Sequence, residues 1–300
     1  SWVCTQWFAE DHNEEAEVIR AFLQFAGSFS QYLHFNGDRF DIPFLNEKCE
    51  TYHLETSLPS IVSRDRLRMI RPLKKLLGLE ALNQRYLEEY FHHERKDTSP
   101  PEELIKVYES YVTEPDADKL HRLLRHNYED LTGMLSLVPA LSYRNILNGI
   151  YKVNNCEING DDLMIHLWLP LPLPQKFLYW DDQIEIIGEG ACFSLNVTGV
   201  RGPLKYFYPD YRNYYYLPDE DMAIHKSVAA FVAKEHREPA RASTCYTKKN
   251  GFYLPQNEKL FPQVFKTDYE SGQMYFACRD SFLQDYDLLC EYVKHFLKEF

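Results

Sequence analysis

Apolar residues recur every three to four positions through much of the first half of the chain, and every second position through much of the rest. Val18, Phe22 and Phe25 follow Asn13 and the acidic run Glu14, Glu15 and Glu17, which predicts a helix with a capped, negatively charged first turn. Gln31 to Phe35 reads as a short strand closed by Asn36-Gly37, and residues 41–54 read as a helix with Pro43 in its first turn. Residues 65–146 are predicted mostly helical, with segments at Leu67–Leu77 around Pro72, Glu102–Tyr111 and Asp118–Val138. The polar, proline-bearing run Arg95 to Pro101 reads as a surface connection. The β-formers Trp2, Val3, Thr5, Trp7 and Phe8 predict a strand at the start.

Near 147–160 the texture changes. Asn148-Gly149, Asn154-Asn155 and Asn159-Gly160 are turn signals, and the domain boundary is expected there: an α/β domain over 1–146 and an α+β domain over 147–300. In the second, strands are predicted at about 161–169, 176–187, 191–200, 204–217, 242–254 and 273–278. A helix is predicted after Pro218, and an amphipathic helix carrying Phe282, Tyr286, Leu289, Val293 and Phe296 closes the chain.

Composition narrows the function classes. Forty-five acidic against 33 basic residues leave a net charge of −12, which argues against coating DNA by bulk charge alone. Acidic residues gathered in one cleft to hold metal ions remain compatible with that balance. Seven cysteines without a C-x-x-C spacing suggest neither a zinc site nor a disulfide framework, and reduced thiols in a cytoplasm are the simplest account. The most apolar stretch, Leu163 to Pro174, is short and broken by prolines, so no membrane span is expected.

Two stretches carry candidate chemistry. In His34-Phe35-Asn36-Gly37-Asp38-Arg39-Phe40-Asp41, a strand runs into a turn and an Asp opens a helix, delivering a carboxylate to the C-terminal edge of a strand. The same residues also fit a helix-capping Asp41 with Phe40 and Phe44 in the core. In His126-Asn127-Tyr128-Glu129-Asp130, the i, i+4 spacing puts His126 and Asp130 on one helix face, as a base-and-carboxylate pair or as a plain surface pair.

Together these stretches resemble the second and third motifs of the DEDD 3′–5′ exonuclease superfamily, specifically its bacterial YprB-type ribonuclease-H-like domain. Asn36, Phe40, Asp41 and Leu45 match the second motif, and His126 with Asp130 match the third. Asp65, the run Pro72 to Leu79 and Glu94-Arg95-Lys96-Asp97 are also similar to the family. The resemblance covers about 1–146 and implies a ribonuclease-H-like mixed sheet with helices. It also implies a metal-dependent nuclease using two Mg²⁺ or Mn²⁺ ions on single-stranded DNA or RNA. Asp41 and Asp130 would be metal ligands, His126 the general base, and Asn36 and Phe40 supports.

Two departures follow. The His126–Asp130 spacing is that of the family's tyrosine subtype, whereas the residue is that of its histidine subtype. The first motif, a strand-borne Asp-x-Glu, is not found, so the domain is expected to begin at its third strand. Asp41 and Asp130 alone would hold at most one ion, and the chain is expected to be impaired as a nuclease. The alternative is a non-catalytic module that binds nucleic acid or a protein partner.

The second half adds a weaker signal. Between Arg201 and Lys266 eleven Lys and Arg face seven Asp and Glu, next to the aromatic run Tyr206 to Tyr216. Tyr214 with Arg241, Lys248 and Lys249 would suit base stacking and phosphate contact; alternate tyrosines facing a small core explain the same pattern. A protein partner docking through the last helix of 147–300 is a third possibility.

Overall fold

The computed structural model describes residues 2–56 and 58–300, which divide into two units, 1–141 and 142–300. The N-terminal unit is built on a parallel pair of strands, β1 (Gln31–His34) and β2 (Val62–Asp65), in register from Gln31 opposite Val62 to His34 opposite Asp65. Helix α1 (Glu15–Ala26) precedes β1 and α2 (Asp41–Thr51) follows it. Ile19, Leu23 and Ala26 of α1 meet Cys49, Leu58 and Ile61 in one buried cluster. The apolar spacing of α1 therefore does what its period predicts. Lys48 pairs with Glu15 at 2.8 Å across the two helices.

After β2 the chain is helical, with α3 (Arg66–Ile70), α4 (Gln84–Tyr90), α5 (Pro101–Thr113) and α6 (Ala117–Ser136). Asp65 ends β2 and caps α3, accepting the Leu67 amide at 2.9 Å. Pro100 precedes α5 and Pro101 opens it, where a missing N–H costs nothing. Ile70, Leu73, Leu76 and Leu87 are fully buried between these segments.

The strand predicted over Trp2–Phe8 does not form. These residues pair with no strand among the described residues, and their rings pack on helices instead. Trp2 stacks on Tyr128, Trp7 meets Phe22 and Phe25, and Phe8 meets Tyr108 and Tyr111. Large rings favour strands only where a pleated neighbour is available; here helix faces offer the apolar surface.

The C-terminal unit is β-rich. After the short α7 (Arg144–Leu147) come β3 (Lys152–Asn159), β4 (Asp162–Trp168), β5 (Phe177–Trp180), β6 (Ile184–Glu189) and β7 (Cys192–Thr198). They form one antiparallel sheet in the order β3-β4-β7-β6-β5. Alternation is strict: Leu163, Ile165, Leu167, Ile186, Leu195 and Val197 are fully buried on one face.

A second part holds β8 (Val200–Phe207), β9 (Tyr214–Leu217), β10 (Met222–His225), α8 (Lys226–Ala229), β11 (Glu238–Pro239), β12 (Tyr246–Gln256) and β13 (Met274–Ala277). These make two three-stranded sheets, β13-β12-β8 and β10-β9-β11. The chain closes on α9 (Asp280–Leu283) and α10 (Tyr286–Leu297), whose Leu289, Tyr292, Val293 and Phe296 are buried.

Three expectations change here. The strand expected over 176–187 is two, β5 and β6, divided by a turn in which Asp181 accepts the Gln183 and Ile184 amides at 2.9 Å. The run 204–217 is likewise two strands, β8 and β9. The helix expected after Pro218 is a hairpin turn between β9 and β10, with Asp221 in the left-handed region at φ 49°. Its acidic residues mimic a helix start, but the flanking strands pair across them.

Candidate functional site

The turn after β1 is fixed by side chains of both strands. Asn36 takes a left-handed conformation (φ 59°), and its amide donates to Asp65 Oδ1 at 2.9 Å. The Gly37 amide donates to His34 Nδ1 at 2.9 Å, and a Cβ at Gly37 would strike the His34 ring, so only glycine fits. Ser63 donates to Asp38 Oδ1 at 2.9 Å and lies 2.7 Å from His34 Nε2. This staple delivers Asp41 to the first residue of α2, exposed, where the helix dipole favours a carboxylate. Phe40 is 66% and Phe44 53% exposed, so neither ring belongs to the core.

The second cluster forms on α6, and its decisive partners come from the 95–99 loop. Glu129 is buried and accepts the amides of Lys96 at 3.0 Å and Asp97 at 2.7 Å through one oxygen. Its other oxygen takes Arg125 Nε at 3.1 Å. Burial disfavours the charge, but the Asp97 amide and Arg125 more than offset that and hold the Glu129 carboxyl below its usual range. The loop is thereby fastened to the helix, and Asp97 is directed at His126.

His126 Nδ1 hydrogen-bonds Asp97 Oδ2, and its Nε2 lies 3.3 Å from Asp130 Oδ2. Asp97 is nearly enclosed, its side chain 8% exposed. Burial opposes its ionisation, yet the bonds from His126 and Ser99 prevail and depress it to about 2. Asp130 Oδ1 takes Arg95 Nη1 at 2.6 Å. The same guanidinium grips Glu88 through Nε and, at 2.8 Å, through Nη2. Burial lowers the Arg95 pKa, but Glu88 and Asp130 together raise it above the ordinary value.

Gln84 completes the network, donating to Glu88 Oε1 and to the Asp130 carbonyl, each at 2.7 Å. At Gly133 a Cβ would fall on the Glu88 carboxylate, so α4 closes on α6 only at a glycine. A cleft of about 570 Å³ opens beside the network, lined by Arg85, Glu88, Glu89, His92, His93, Arg95 and Asp97 among others.

The structure thus joins His126 and Asp130, as their spacing predicts. No hydrogen bond or ion pair among the described residues joins Asp41 to either. Arg95, Asp97 and Glu129 are the partners to which sequence reasoning gave no role at the site, and the 95–101 run is no plain surface connection. Its signal is the concentration of charge in Glu94-Arg95-Lys96-Asp97 beside prolines that end the freedom of the loop.

In the C-terminal unit, Tyr214 stacks on Tyr208 with ring centroids 4.6 Å apart, beside buried Ala223, Ala240 and Cys245. Lys248 pairs with Asp221, which also accepts Tyr216 Oη at 2.6 Å and Tyr246 Oη. Lys249 Nζ lies 5.6 Å from the Tyr206 ring centre, and Arg241 is exposed.

Comparison with known families supplies the frame. Residues 2–142 match the RNase_H_2 family model of the RNase_H superfamily. This region is a ribonuclease-H-like domain. The match spans a little under half of the chain and takes in both motif-bearing stretches. No curated protein and no solved structure matches the chain. No helix among the described residues is long and apolar enough to cross a membrane.

The two-ion centre implied by the resemblance does not fit the ribonuclease-H-like domain as these side chains stand. Among the described residues no group of three or more His, Cys, Asp or Glu is placed to hold a metal ion. Asp130 already has a guanidinium on one oxygen and an imidazole on the other. Mg²⁺ or Mn²⁺ would have to compete with Arg95 for Oδ1.

Proposed function

We propose that the ribonuclease-H-like domain is a nuclease-type unit directed at the phosphodiester bonds of DNA or RNA. Within that class, the 3′–5′ exonuclease chemistry of the DEDD, YprB-type proteins is the closest fit to its motifs. The observation that carries the reading is His126 of α6, held between Asp97 of the 95–99 loop and Asp130 of its own helix inside the matched region. With Nδ1 engaged by Asp97, Nε2, which faces Asp130 Oδ2 at 3.3 Å, is the nitrogen that would take a proton from a nucleophile such as water. Asp130 and Asp41 are the carboxylates of the proposed site, with Asn36 and Phe40 shaping the approach to Asp41.

A second reading, binding without cleavage, is favoured by Arg95. A guanidinium that neutralises Asp130 leaves that carboxylate less charge to offer a divalent ion. For the C-terminal unit we propose Arg241 and Lys249 as phosphate contacts, since Lys248 is committed to Asp221 and Tyr214 to Tyr208. A cytoplasmic setting belongs to the same proposal and is supported by seven free cysteines.

The test is degradation of 5′-labelled single-stranded DNA and RNA with Mg²⁺ or Mn²⁺, for the full chain and for His126→Ala. Shortening from the 3′ end that His126→Ala abolishes supports the nuclease. Retention of the strand in a gel without shortening supports the binder. Neither activity on either polymer overturns both readings.

A further inference from the structure

We propose that Asp97 is the positioning residue of His126: it holds the ring in the Nδ1–H tautomer and leaves Nε2 as its working nitrogen. The inference deepens the nuclease reading, since it takes His126 as the base.

The geometry for this role is complete on the Asp97 side. Glu129 binds the Lys96 and Asp97 amides, so the backbone that carries Asp97 is tied to the helix that carries His126. Asp97 Oδ1 is taken by the Ser99 amide at 3.1 Å, which leaves Oδ2 to meet Nδ1. Ser99 is itself buried and held by Arg122, whose Nη2 donates to its hydroxyl at 2.7 Å. A carboxylate with one oxygen fixed on a turn and the other on an imidazole can only accept. It therefore selects the tautomer with hydrogen on Nδ1, the device by which a buried carboxylate sets an imidazole base. Asp130 Oδ2 faces the opposite nitrogen and pulls toward the other tautomer, but from a longer 3.3 Å and with its side chain 44% exposed against 8% for Asp97, so the closer, drier carboxylate prevails.

A plain packing role for Asp97 would be met equally by an isosteric amide; a tautomer-setting role would not. In Asp97→Asn the side-chain amide can donate to Nδ1, which reverses the preference. The experiment is long-range ¹H–¹⁵N correlation of the His126 ring in the full chain, at a pH where the ring is neutral. In the wild type, the expected result is a protonated Nδ1 and an unprotonated Nε2. In Asp97→Asn, the population should move to the Nε2–H form.

A wild-type ring protonated mainly at Nε2 overturns the proposal without any variant, so a poorly folding Asp97→Asn does not shelter it. An unchanged tautomer in a folded Asp97→Asn overturns it as well. If the chain degrades nucleic acid, Asp97→Asn should lower kcat by about 10²–10⁴-fold, the usual worth of a general base, with KM little changed. The expected ring pattern in a chain without nuclease activity would uphold Asp97 and defeat the nuclease reading, so the two failures are distinguishable.

Discussion

Replacing Arg95 by methionine is the sharpest probe of the network, because it removes a charge that two carboxylates share while keeping most of the side-chain volume. Glu88, 1% exposed, would keep only the Gln84 amide at 2.7 Å. Breaking a buried pair by deleting one partner costs about 3–5 kcal/mol, since the remaining charge stays out of water. The lost Asp130 contact adds at most about 1 kcal/mol, because that carboxylate is 44% exposed and screened.

At about 2–4 °C per kcal/mol for a domain of this size, the unfolding midpoint of the N-terminal unit should fall by about 6–24 °C. The assay is thermal unfolding followed by circular dichroism, with Arg95→Met/Glu88→Leu as companion. The double variant should recover most of the loss, because neither charge remains to be buried. A single variant within about 1 kcal/mol of wild type would refute the argument. So would a double variant no better than the single, since the cost would then lie in packing.

Other predictions concern pH, the α4–α6 helix contact and the β9–β10 turn. The Asp97 carboxyl titrates at about 2 in the fold against 3.8 unfolded, so its stabilisation is complete above pH 3.8 and lost as pH falls toward 2. The stability gap between wild type and Asp97→Asn should be about 2 kcal/mol at neutral pH and close in that window; a constant gap would contradict the linkage. Gly133→Ala should destabilise by about 1–3 kcal/mol despite the better helix propensity of alanine, because its methyl displaces the Glu88 carboxylate; a gain in melting temperature would show that α4 yields freely. Asp221→Asn keeps a residue tolerant of φ 49° and removes only charge, so it should cost about 0.5–1.5 kcal/mol and release Lys248. A melting temperature equal to wild type would show that Tyr216, Tyr246 and Lys248 gain nothing from that carboxylate.

Helical periodicity exposed α1 in the sequence because Ile19, Leu23 and Ala26 form one buried stripe, and strict alternation exposed β4 and β7, whose alternate residues are buried; α2, which buries only Cys49, was legible from Pro43 in its first turn instead. The i, i+4 spacing of His126 and Asp130 was legible because a helix alone brings them together. Asp97 was not, since it reaches His126 across 29 residues and only the Glu129 bonds to the loop make the two neighbours. The aromatic start at Trp2–Phe8 misled because rings that suit a pleated sheet suit helix faces equally. The acidic residues after Pro218 misled because a charged turn and a capped helix start share one composition.

Glu129 also bears on how the domain can meet a phosphate. Two successive backbone N–H groups converging on one point form an anion nest, a common way for a loop to grip a phosphoryl oxygen. The Lys96 and Asp97 amides make such a pair, but the guest is the protein's own carboxylate. The nest is filled from within, so a strand approaching α6 finds those amides spent. Any anion meeting this face would have to find other donors, and the Glu129 bonds tie the loop to the helix without an outside ligand.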